Sequence, residues 1–62
     1  MKTVCYLIGN TPEALQACHD VEMAIPCFTF RTYRSDRTSF EYEIQCREED
    51  LPFVERVLAP HV

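Results

Sequence analysis

The feature that most constrains the fold of this chain is a strict alternation of apolar and polar residues from Ser39 to Arg47. Successive side chains of a β-strand point to opposite faces of its sheet, so a period of two indicates a strand with one buried face and one solvated face. The side chains predicted to face the core are Phe40, Tyr42, Ile44 and Cys46.

Two further segments have the composition of strands. Lys2 to Ile8 is rich in β-branched and aromatic residues and is followed by a Gly-Asn turn signal. Cys27 to Tyr33 has a similar composition and follows Pro26. The sequence therefore predicts three strands.

Two helices are predicted between and after these strands. Thr11 offers an N-cap oxygen and Pro12 suits the first helical position, while Pro26 ends this first helix. Acidic residues at 48–50 favour a second helix start, and Pro60 ends it. The expected apolar stripes are Ala14, Ala17, Cys18, Val21 and Ala24 in the first helix, and Leu51, Val54, Val57 and Leu58 in the second.

The pairing of the second and third strands is predicted by requiring their aromatic faces to coincide. Phe28 and Phe30 would then lie on the side of Phe40, which demands a loop of three or five residues and sets Arg31 opposite Glu41 or Ser39. The other face would be polar, and Cys27 would lie on it, pointing away from Cys46.

The order strand, helix, strand, strand, helix predicts a single α+β domain over residues 1–62. It resembles the ferredoxin-like split β-α-β-β-α arrangement, a likeness of fold and not of family. The implied sheet has three strands, with the third between the first two, both helices on one face, and the fourth strand absent.

Charge and cysteine content narrow the functional classes. The net charge is −4, which argues against a generally basic nucleic-acid binder. The four cysteines lie one per element without a closely spaced pair, so reduced thiols and no structural metal are expected. Nothing predicts a cofactor, and His19 and His61 have no evident catalytic partner, so no enzyme is expected. No segment reaches membrane-spanning length, and a cytoplasmic location is expected.

By elimination, the favoured function is a small protein–protein interaction or regulatory module whose partner the sequence does not identify. Its first candidate surface is the edge of the first strand, which we expect to pair with a second copy or with a partner strand. The residues of that edge are Val4, Cys5, Tyr6, Leu7 and Ile8.

Two alternative functions stay open. A basic tip formed by Arg31, Tyr33, Arg34 and Arg37 would contact nucleic acid, since guanidinium groups bind phosphate and an aromatic ring stacks on a base. The other alternative is an acidic inhibitor of the mobile-element type, whose carboxylates imitate an array of phosphates. Its candidate residues are Glu48, Glu49 and Asp50, together with Glu13, Asp20 and Glu22.

Overall fold

A computed structural model describes residues 1–62. Three strands and two helices follow the predicted order, and the strand and helix bounds are within a few residues of those predicted from the sequence. The elements are β1 (Lys2–Gly9), α1 (Pro12–Ala24), β2 (Cys27–Tyr33), β3 (Ser39–Cys46) and α2 (Leu51–Leu58), with 3-10 turns at Glu48–Asp50 and Ala59–His61 on either side of α2.

The three strands form one sheet in the order β1-β3-β2. β3 is antiparallel to both neighbours, so β1 and β2 run parallel to each other and each forms an edge. The prediction that the third strand lies between the first two is therefore confirmed. On its outer side, each edge strand has backbone N–H and C=O groups that are not hydrogen-bonded to any other strand of the chain.

The core lies on one side of this sheet, under both helices. All four apolar residues of the alternating segment in β3 are fully buried, and they form one cluster with Ile8 of β1 and with the apolar stripes of α1 and α2. Ala24 is the exception in the predicted stripe of α1, because it lies at the end of the helix and is exposed. Because a single face of β3 meets both helices, the helices lie on the same side of the sheet. The polar residues of β3 point to the opposite side of the sheet, which neither helix covers.

Helix α1 begins where the capping signal predicts. The Thr11 hydroxyl oxygen accepts a hydrogen bond from the Ala14 N–H at 3.1 Å, and Pro12 occupies the first turn. Such a cap satisfies one of the backbone donors that a helix start leaves unpaired. The cap holds the end of β1 in a fixed relation to the start of α1.

The predicted register of the β2–β3 hairpin is wrong, by one residue for the pairing with Glu41 and by three for the pairing with Ser39. Arg31 lies opposite Tyr42 rather than opposite Glu41 or Ser39, and Phe28 and Phe30 face away from the core. The Arg34 N–H donates to the Ser39 carbonyl at 3.1 Å, so the loop contains the four residues 35–38 and not three or five. A shift of one residue exchanges the two faces of a strand.

Local hydrogen bonds stabilise this four-residue loop. The Arg37 N–H bonds to the Arg34 carbonyl at 3.0 Å, and Arg37 adopts a left-handed conformation with φ of 59°. The Asp36 carboxylate accepts hydrogen bonds from the Thr38 N–H and hydroxyl at 3.1 and 2.9 Å. Asn10 then donates its side-chain amide to the Arg37 carbonyl at 2.9 Å. These contacts hold the turn against the residue that follows β1 as well as against β2 and β3.

Neither helix combines the length and the apolar character that a membrane span requires. The structure also contains no pocket.

Candidate interaction surface of the sheet

The sheet surface opposite the helices, here called the open face, has an ordered pattern of side chains. The strand register places one residue of β1, one of β3 and one of β2 side by side, and each such set of three is called a row. The rows are Thr3–Gln45–Phe28, Cys5–Glu43–Phe30 and Leu7–Glu41–Thr32. All nine residues are exposed.

Apolar groups occupy both outer columns of the open face. Phe28 is 70% exposed, Phe30 is 68% exposed and Leu7 is 48% exposed. The sequence pattern predicts a polar face here, and the shifted β2 register overturns that prediction. Two adjacent phenylalanines at this level of exposure differ from the scattered apolar residues found on most protein surfaces.

The central column of the open face is acidic. Glu41 and Glu43 are exposed, and neither carboxylate forms a salt bridge within the chain. Cys5 directs its Sγ toward Glu43 Oε1 at 3.9 Å. Desolvation, with further contributions from Glu43 and Glu41, raises the pKa of the Cys5 thiol, so Cys5 stays protonated at neutral pH. The open face therefore combines unpaired negative charge with flanking apolar surface.

The predicted strand-edge surface coincides with an actual edge of the sheet. In β1, Val4, Tyr6 and Ile8 face the core side, whereas Cys5 and Leu7 belong to the open face. The Asn10 N–H donates to the Thr38 carbonyl at 3.0 Å and continues the β1–β3 register. Since backbone groups of successive residues point alternately to the two sides of a strand, the odd-numbered residues of β1 direct theirs outward.

The four residues of the predicted basic tip do not come together. Arg34 and Arg37 lie in the exposed turn, but Arg31 and Tyr33 lie on the helix side of β2. The Tyr33 ring packs against the buried Phe40 with centroids 5.2 Å apart. Only two arginines are therefore left at the tip.

Arg31 instead belongs to a small polar cluster beside the core. Its Nη2 lies 3.4 Å from Glu22 Oε2, and its guanidinium stacks 5.7 Å from the Phe40 ring centre and 5.8 Å from that of Tyr42. The fully buried Tyr42 donates its hydroxyl to the same Glu22 oxygen at 2.6 Å. Burial and then this bond raise the pKa of Tyr42. Glu22 thus has a structural role and is not free to imitate phosphate.

Two of the three carboxylates in the acidic group before α2 are paired with one neighbouring cation. Arg47 Nε lies 2.8 Å from Asp50 Oδ2 and 3.5 Å from Glu49 Oε1. These contacts leave Glu48 as the carboxylate of this group without an ion pair. The arrangement weakens the resemblance of Glu48, Glu49 and Asp50 to an array of phosphates.

The cysteines also depart from the predicted arrangement. Cys27 lies on the helix side of β2, packed against the core and directly opposite the buried Cys46, so the prediction that they face opposite ways is wrong. Cys5 is the exposed thiol of the open face, and Cys18 is buried in α1. All four cysteines are free.

The sequence pattern did not indicate Phe28 and Phe30 as surface residues, because aromatic side chains of paired strands are expected to share the buried face. The Asp36 side chain closes a turn to Thr38, two residues on, but this spacing sets no loop length, so no local signal in the sequence indicates the four-residue loop.

Comparison with known proteins found no matching family model, no matching curated protein and no matching solved structure.

Proposed function

We propose that this chain is a small non-catalytic protein-interaction module that binds its partner through the open face. The observation that supports this is the exposure of Phe28 and Phe30 beside the unpaired carboxylates of Glu41 and Glu43. Aromatic side chains contribute a large part of the binding energy at protein interfaces. Charged groups around them set orientation and partner choice.

The proposed partner presents arginine or lysine side chains flanked by apolar ones. Alternate residues of one strand lie about 7 Å apart, so Glu41 and Glu43 would accept two basic groups at that spacing. A guanidinium held over Glu43 would also reach the ring of Phe30, its neighbour in the same row. Ion pairing and cation–π contact would then act on the same partner group.

The same carboxylates argue against two other occupants of the open face. Sheets that bind RNA stack bases on exposed aromatics, but Glu41 and Glu43 would repel the phosphates of the bound strand. A second copy placed face to face would bring its own Glu41 and Glu43 against the first pair. Like charges opposed across an interface are unfavourable, so self-association through this face is disfavoured.

The direct test is titration of isotopically labelled protein with a synthetic peptide that alternates arginine and leucine, followed by backbone amide shifts. We expect the largest shifts in the open-face rows that contain Phe30 and Glu43. Phe30→Ser and Glu43→Gln should each weaken binding at least tenfold. Glu13→Gln removes an exposed carboxylate from α1 and is the matched control, which should bind like the wild type.

Three results would contradict the proposal. One is a set of shifts spread evenly over all acidic residues, which indicates nonspecific attraction. Another is equal weakening by Glu13→Gln and Glu43→Gln. The third is tighter binding of a single-stranded oligonucleotide than of the peptide, with shifts at Arg34 and Arg37, which would favour the nucleic-acid alternative.

A second candidate function is self-association through the edge of β1. The observed strand order supports the ferredoxin-like split arrangement, and in that fold a fourth strand would pair with β1 on the side that is free here. We propose that β1 of a second copy takes this place and forms a continuous sheet in a homodimer. Such pairing would satisfy the outward backbone groups of β1 and would bury additional surface of a small chain.

Sedimentation equilibrium at micromolar concentration tests the dimer. Cys5→Pro removes an N–H that points outward from β1, where proline is tolerated because no ladder bond within the chain is lost. We expect dimers for the wild type and for Cys5→Ala, and monomers for Cys5→Pro with a preserved circular dichroism spectrum. A monomeric wild type would refute the dimer and would leave the open-face proposal intact.

The acidic-inhibitor hypothesis is a third proposal. It is weakened by the internal pairing of Glu22, Glu49 and Asp50. Charge reversal at Glu48 separates it from the open-face proposal, because only an acidic inhibitor would lose activity when Glu48→Lys is introduced.

A further inference from the structure

The last residue pair of the β2–β3 ladder consists of two cysteines. Cys27 begins β2, Cys46 ends β3, and the register sets them directly opposite each other. Both face the helix side of the sheet, where Cys46 is fully buried and Cys27 is half-buried at the sheet edge. Two thiols are therefore next to each other across one pair of strands.

The ladder pattern shows which kind of pair they form. Arg34 and Ser39 are hydrogen-bonded to each other, and bonded and non-bonded pairs alternate along an antiparallel ladder. Cys27 lies an odd number of residues before Arg34, and the pairing between them has no bulge. Cys27 and Cys46 are therefore a non-hydrogen-bonded pair. The Cα atoms of such pairs lie about 4.5 Å apart. Disulfides span Cα separations of roughly 4.4–6.8 Å.

We propose that Cys27 and Cys46 are an oxidisable pair that a small-molecule disulfide, such as oxidised glutathione, converts to a cross-strand disulfide. The proposal does not depend on the open face or on the dimer. The bond would join the end of the β2–β3 hairpin that lies opposite its turn. It would therefore hold the edge strand β2 to β3 at both ends.

The reaction is thiol–disulfide exchange in two steps. The Cys27 thiolate, at the accessible edge, attacks one sulfur of oxidised glutathione, and one glutathione leaves as its thiolate. The Cys46 thiolate then attacks the Cys27 sulfur of the mixed disulfide and releases the second glutathione. The two protein thiols are oxidised, the glutathione disulfide is reduced, and the two protons end on the released thiols. Burial, with smaller contributions from Glu22, Cys46 and Asp50, raises the pKa of Cys27, so the assay is run at mildly alkaline pH.

The four cysteines can be told apart with a protease that cleaves after glutamate. Cleavage after Glu13, Glu22, Glu41, Glu43 and Glu48 separates them into segments 1–13, 14–22, 23–41 and 44–48. Folded protein is incubated with excess oxidised glutathione, quenched with acid and analysed by intact mass before and after digestion. The expected product has lost two hydrogen atoms and contains segment 23–41 linked to segment 44–48.

Two variants complete the experiment. Cys5→Ser removes the exposed thiol of the opposite face, and it should form the same link at the wild-type rate. Cys27→Ser should give glutathione adducts but no internal disulfide. The link is measured in the wild-type protein, so the test needs no substitution of the buried Cys46. A stable glutathione adduct at Cys27, a link to Cys5 or Cys18, or no reaction at all in the wild type would overturn the proposal.

Discussion

The hydrogen bond from the Tyr42 hydroxyl to Glu22 is the contact in this core whose contribution to stability can be measured most directly. Tyr42→Phe removes the buried hydroxyl and keeps the ring. A hydrogen bond to a charged group contributes about 1.5–3 kcal/mol. The Glu22 side chain is 29% exposed and can recover hydration, so the lower end of that range applies. We therefore expect a loss of about 1.5 kcal/mol, or roughly 6–12 °C in Tm for a domain of this size.

Urea unfolding followed by circular dichroism measures this loss, and Tyr6→Phe is the matched control. Tyr6 is half-buried and its hydroxyl forms no side-chain hydrogen bond, so its removal should change the free energy of unfolding by less than about 0.5 kcal/mol. A double-mutant cycle with Glu22→Gln should give a coupling of about 1 kcal/mol. Equal losses for Tyr42→Phe and Tyr6→Phe, or no coupling to Glu22, would refute the assigned role of the bond.

Four further predictions concern stability. Burial raises the pKa of the Cys18 and Cys46 thiols above their ordinary 9.0, so their protons favour the folded state, and stability that is complete below about pH 9 should fall above it. The urea midpoint should show this, with a shallower fall for Cys18→Ala; a flat profile would contradict it. Thr11→Ala should cost about 1 kcal/mol in thermal melts while Thr11→Ser stays near the wild type, and equal losses would argue against the cap. Arg37→Gly should stabilise by about 1 kcal/mol because it relieves the left-handed backbone. Arg34→Ala should have little effect on the melting curve, and a large loss would show that the turn arginines are structural.

The sequence alone determined the elements and the strand order of this protein. The alternation in β3, the cap at Thr11 and the prolines at 12, 26 and 60 act within a few residues of chain, so their effects can be predicted locally. The antiparallel placement of β3 between the other strands also followed, because short connections and right-handed crossovers leave few alternatives. These features depend on backbone geometry that any packing of the core must respect.

Only the tertiary structure decided which side of β2 meets the helices. Cys27, Thr29 and Arg31 alternate with Phe28 and Phe30, and either set fits a strand. Arg31 takes the helix side because Glu22 and the rings of Phe40 and Tyr42 provide partners for its guanidinium there. Those partners come from α1 and β3 and are invisible to a local pattern. The same packing placed the phenylalanines on the open face and Cys27 opposite Cys46, because a one-residue change in register moves every side chain of the strand together.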